Sequence, residues 1–133
     1  MSIICATHFT PSSLDAVEVA TGLADRTRQK LHLVAVMPAG SGPTVDHDAN
    51  AALTREAAAA RERGVNVETS VLHGKLEHQL STLCRQIAPR LLVIGDTSRP
   101  MAPLFATPID RISGDVSVPI LVVKSRLPFT PWT

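Results

Sequence analysis

Gly95 closes the short apolar run Leu91-Leu92-Val93-Ile94 and is followed by Asp96, Thr97 and Ser98. An α/β protein turns from buried strand into ligand loop at such a place, because a glycine there lets bare backbone approach a phosphate. Further glycines near the next helix N-terminus would complete an anion cradle, but the later positions are Ser98 and Ala106. The loop reads as a nucleotide cradle with parts replaced. Other reactive side chains form no comparable pattern. Asp46-His47-Asp48 has metal-binding side chains but no spaced second group of ligands. His73 and His78 stand five apart, off the i, i+4 spacing that puts two ligands on one helical face. His32 lies between apolar strand neighbours and reads as a core or edge histidine. Ser12, Ser13 and Ser98 lack a Gly-x-Ser-x-Gly elbow, so no hydrolase triad is supported. Cys5 and Cys84 read as small buried hydrophobes.

Composition removes several function classes. The chain has 133 residues, 44% of them hydrophobic, enough for one domain with a sizeable core. Thirteen basic against twelve acidic residues leave a net charge of +1, and three Phe, one Trp and no Tyr leave little to stack on bases. Nucleic acid is therefore not expected as a partner. No apolar run approaches the ~20 residues that span a bilayer. Met1-Ser2-Ile3-Ile4-Cys5-Ala6 has no basic region before its apolar residues, so it reads as a strand rather than a signal peptide. A cytoplasmic protein is the expectation.

Strands and helices alternate, which predicts a mainly parallel sheet covered on both faces. Ile3 to Thr7 is the first strand. Thr10 is a candidate N-cap with Pro11 at the first helical position, and Val17, Ala20 and Ala24, flanked by Leu14 and Leu23, form the buried face. Leu31 to Met37 is the second strand. Pro38 to Pro43 then predicts a break and a polar, flexible connection. A helix is expected from about Asn50 to Arg63, with Gly64 as its left-handed C′ residue. Val65 to Leu72 alternates as a strand does, and Leu76 to Ile87 has helical spacing that Pro89 ends. Leu91 to Ile94, a short helix from about Thr107 to Gly114, and a strand from Ile120 to Val123 complete the series.

With these landmarks in this order, the chain resembles a universal stress protein domain over residues 1–124, with a tail over 125–133. The resemblance is carried by Ile3 to Thr10, Leu31 to Val36, Val71-Leu72-His73-Gly74, Leu92-Val93-Ile94-Gly95 and Val118-Pro119-Ile120-Leu121-Val122-Val123. It implies an adenine-nucleotide-hydrolase-like fold: one doubly wound, five-stranded parallel sheet of order 3-2-1-4-5 with helices on both faces. The ligand crevice then lies between the first and fourth strands, where the strand order reverses. Nucleotide-binding relatives carry Gly-x-x-Gly, nine residues, then Gly-Ser/Thr. Carried over residue by residue, Gly95 keeps the first glycine, Ser98 replaces the second, seven residues intervene, and Ala106-Thr107 replaces Gly-Ser/Thr. His8 stands where an acidic contact to adenosine is expected. The nucleotide-contacting positions implied are Ala6, Thr7, His8, Val36, Ile94, Gly95, Ser98, Ala106 and Thr107, with no catalytic and no metal position.

The replacements act in one direction. Side chains at Ser98 and Ala106 occupy space where backbone meets phosphate, and Asp96 adds negative charge beside it, which Arg99 and Arg111 could offset. The resulting reading is a non-enzymatic stress-response homodimer acting through a protein partner, with a degenerate or altered nucleotide site. An ATP- or AMP-binding switch using the modified Gly95 to Thr107 loop is the alternative. Slow nucleotide hydrolysis, with Asp96 and His8 beside an ordered metal, is a third. Val118 to Val123 falls on a sheet edge and predicts the dimer contact, with Phe129 and Trp132 of the tail packing across the partner.

Overall fold

The computed structural model describes residues 1–7, 11–95 and 117–123. Eight elements run in chain order: β1 (Ser2–Thr7), α1 (Pro11–Thr27), β2 (Lys30–Met37), α2 (Pro43–Glu62), β3 (Val67–His73), α3 (Leu76–Ile87), β4 (Leu91–Gly95) and β5 (Ile120–Val123). The five strands form one parallel sheet of order β3-β2-β1-β4-β5, as the alternating pattern predicts.

Period-two alternation sorts β1 onto two cores. Ile3 and Cys5 join Leu31, Leu33, Ala35 and Val93 under α1 and α2, whose contributions include Ala16, Ala20, Ala24, Leu53, Ala57 and Ala60. Ile4 and Ala6 join Val34, Val36, Leu92 and Ile94 under α3, which supplies Leu76, Leu80 and Cys84. Right-handed crossovers require this division. The steps β1 to β2 to β3 run one way along the sheet and place α1 and α2 on one face, and the return to β4 places α3 on the other. Small alanines on α1 and α2 let both helices sit close to the sheet, while larger Leu76 and Leu80 fill the α3 side.

Several expectations need correction. The helix expected from Asn50 begins at Pro43, so the connection after β2 is short and Asp46-His47-Asp48 is helical rather than part of a flexible loop. Pro43 starts this helix instead of breaking it. Gly42 is extended (φ −79°, ψ 172°) as N-cap, Pro43 occupies the position where a missing N–H costs nothing, and Asp46 lies in the first turn, where its charge suits the helix dipole. β3 begins at Val67, with Val65 buried ahead of it. Leu14 is 47% exposed and so does not close the inner face of α1. The expected Thr10 cap, the 107–114 helix and the tail lie outside the described residues.

The helix ends explain the boundaries. At the end of α2, Gly64 is left-handed (φ +86°) and the Val65 N–H donates to the Ala60 carbonyl at 3.2 Å. The end of α1 repeats this geometry with Arg28 in the glycine position (φ +56°), and the Gln29 N–H donates to the Ala24 carbonyl at 3.0 Å. A side chain in that conformation costs about 1–2 kcal/mol. α3 ends on Ala88, also left-handed (φ +50°), because Pro89 disfavours a helical residue before it.

Candidate functional site

Strands β1 and β4 are the neighbours between which the connections change direction, so the crevice outside their carboxyl ends is the ligand position this topology provides. β1 ends at Thr7 and β4 at Gly95. In register, Ala6 pairs with Val34 on one side and Ile94 on the other, Thr7 pairs with Ala35, and Gly95 with Val123. Thr7 and Gly95 therefore sit together at one edge of the sheet.

Of the positions implied by the sequence, Ala6, Val36 and Ile94 all face α3 and are at most 5% exposed, so they form a packed floor beneath the strand ends. Thr7 is fully buried on the opposite face. Gly95 is the buried terminal residue of β4. His8, Ser98, Ala106 and Thr107 lie outside the described residues, as do Asp96, Arg99 and Arg111. The structure thus brings five of the nine positions to one end of the sheet. It describes the wall below the crevice and not the loops above it.

Two polar features nearby carry no sequence motif. His73 Nε2 lies 2.8 Å from Asp46 Oδ1, joining the end of β3 to the first turn of α2 across 27 residues of sequence. The Gly74 N–H donates to the Met37 carbonyl at 3.0 Å, which ties β3 to the end of β2. Gly74 has φ +128° there, and a Cβ would meet the Gln79 amide at 3.0 Å, so glycine is required. The only sequence signal for this junction is that glycine after the strand.

Elsewhere the ionisable groups serve structure. His32 lies 3.5 Å from Glu68; burial pulls its pKa below the ordinary histidine value, and Glu68 opposes the shift. Lys30 donates to Glu68, and that hydrogen bond is the main reason the Glu68 carboxyl sits below the usual range. Burial raises both thiols, strongly for Cys5, where the charge of Glu56 adds to the effect. Glu56 is the least expected of these groups. Its Oε2 is buried without a hydrogen-bond partner, and burial pushes its pKa up to about 7 against the pull of Arg55. It lines a groove of about 200 Å³ between α1 and α2, beside Val17, Thr21 and Ala59. Among the described residues no three His, Cys, Asp or Glu side chains are grouped to hold a metal ion, and no helix is long and apolar enough to cross a membrane.

The sequence profile of the Universal stress protein family matches residues 1–124. Solved structures agree with the fold. A universal stress protein in complex with cAMP is 21% identical, with a TM-score of 0.75 over 94% of this chain and 97% of that one. The universal stress protein from Archaeoglobus fulgidus in complex with dAMP is 16% identical, with a TM-score of 0.77 over 93% and 98%. A family protein from Burkholderia pseudomallei is 22% identical, with a TM-score of 0.72 over 92% and 94%. No curated protein matches the chain in sequence. The profile match spans almost the whole chain, and on it this protein belongs to the universal stress protein family.

Proposed function

We propose that this chain is a non-enzymatic stress-response protein, working as a homodimer through a protein partner, whose adenine-nucleotide crevice is altered at its phosphate end. The observation that carries the reading is the placement of Gly95 beside Thr7 at the switch point, followed in sequence by Ser98 and Ala106 where a phosphate cradle needs glycine. Ala6, Val36 and Ile94 supply an apolar floor, Thr7 and Gly95 end the two flanking strands, and the sequence offers the hydroxyls of Ser98 and Thr107 after them. Each lost glycine puts a Cβ where bare backbone donates N–H groups to phosphate oxygens. Asp96 adds repulsion that grows with the number of phosphates. The penalty therefore falls hardest on ATP.

A second reading keeps the crevice as a switch for nucleotides with one phosphate, and the cAMP and dAMP complexes of two relatives favour that ligand class. Dimerisation is assigned to β5. Among the described residues it pairs only with β4, and Ile120 to Val123 are each half-buried, which leaves an apolar edge with unpaired backbone groups for a symmetry mate. Native mass spectrometry of protein purified without added nucleotide tests the assignment. A dimer free of ATP is expected; stoichiometric ATP or a monomer would overturn it, and retained AMP would select the second reading.

A further inference from the structure

The groove of about 200 Å³ between α1 and α2 joins an apolar wall to an unmatched acceptor. Leu14, Val17 and Ala59 form the wall, and Leu14 is one of three exposed large hydrophobic residues among those described. Glu56 lines the same groove with its Oε2 buried and without a hydrogen-bond partner. Both side-chain donors that line the groove are engaged elsewhere. The Thr21 hydroxyl donates to the Val17 carbonyl at 2.7 Å, and Arg63 lies 3.6 Å from Asp25.

The bland account is a carboxyl trapped by helix packing that sheds its charge by taking up a proton. Protonation removes the charge without giving Oε2 a partner. A buried acceptor left unmatched is costly and uncommon, and one that lines an open groove has a donor available only from outside the chain. The desolvation of this carboxyl is already incurred on folding, so an arriving cation bears only its own.

We infer that this groove is a docking site for a lysine side chain of a protein partner, its methylene stem lying along Leu14, Val17 and Ala59 and its ammonium donating to Glu56. The volume is below the roughly 300–1,000 Å³ of sites for drug-sized ligands, so it suits one long side chain. An apolar wall with a carboxyl complements a side chain that buries its stem and carries a cation at its tip. A single unmatched oxygen suits a compact ammonium better than the arginine fork, which calls for two acceptors. Glu18 also lines the groove, and its charge favours a cation over an anion. The inference rests on the reading that the chain works through a protein partner, and it names the chemistry of that partner. No groove residue belongs to β5 or to the strand ends of the crevice.

The test is amide-shift titration of the full chain with n-butylammonium chloride, the lysine side-chain analogue, at constant ionic strength. It is run at pH 8, above the value of about 7 to which burial raises the Glu56 carboxyl. Saturable shifts at residues 14–21 and 56–63 are expected, with a Kd near or below about 10 mM. Glu56→Gln, which keeps the shape of the side chain, should weaken binding about fivefold or more, and n-butanol should bind the wild type more weakly by a similar factor. Leu14→Ala provides an independent loss on the apolar side. Shifts that fail to saturate by about 100 mM, equal affinity in Glu56→Gln, or equal binding of n-butanol would overturn the proposal. The titration needs no partner protein, so its failure would remove the groove and leave the partner reading in place.

Discussion

Replacing Glu56 with Gln should abolish a pH dependence built into the α1–α2 packing. The carboxyl keeps one oxygen buried without a partner, and its pKa is raised from 4.5 to about 7 in the folded protein. Below pH 4.5 the group is protonated in both folded and unfolded chains, so it adds no penalty. As pH rises from 4.5 through 7 the unfolded chain ionises first, and the folded state loses relative stability until it too ionises. The shift corresponds to an upper bound of about 3 kcal/mol, at 1.36 kcal/mol per pH unit. Solvent reaches part of the side chain, which lowers the figure to about 1–2 kcal/mol. Urea unfolding of wild type and Glu56→Gln at pH 5 and pH 8 measures it. The variant should gain about 1–2 kcal/mol over wild type at pH 8 and little at pH 5, equivalent to roughly 3–8 °C in melting temperature at the higher pH. Comparing two proteins across two pH values cancels the other titrating groups. Parallel stabilities for both proteins would refute the reasoning, because the buried oxygen would then carry no ionisation penalty.

Leu80 is fully buried at the centre of the α3 core, so Leu80→Ala should destabilise by about 2–5 kcal/mol in chemical unfolding; a loss under 1 kcal/mol would mean that α3 does not pack as described. Leu121→Lys on β5 should give monomers by light scattering while far-UV circular dichroism is retained, and a wild-type protein that sediments as a monomer at tens of micromolar would refute the edge-strand dimer. Restoring the cradle with Ser98→Gly plus Ala106→Gly should strengthen ATP binding; unchanged affinity would show that these two side chains are not what weakens the phosphate end.

The sheet was legible because its signals are local. Strands β1, β2 and β4 are short apolar runs bounded by turn residues, and α3 spaces Leu76, Leu80 and Cys84 at helical intervals that Pro89 ends. The beginning of α2 was not legible, because Pro43 can both break the segment before it and serve as a favourable first residue of a helix; only the extended Gly42 decides. Glu56 was hidden for a different reason. Its surroundings come from α1, whose Val17 and Thr21 line the same groove, and a helical pattern in α2 does not show which residues of another helix lie beside it. The Asp46–His73 contact joins residues 27 apart and arises where the ends of two elements meet at one sheet edge. For the crevice, what the sequence located is the ends of β1 and β4, since Gly95 marks a strand terminus. The ligand preference depends on loop side chains, whose effect on a phosphate is a matter of fractions of an ångström that composition does not encode.

Calorimetric titration of nucleotide-free protein with Mg-ATP tests the altered-crevice account most directly. The account predicts a Kd weaker than about 10 μM, a binding free energy smaller in magnitude than roughly 7 kcal/mol. ATP bound more tightly than that, with one site per chain, would contradict it.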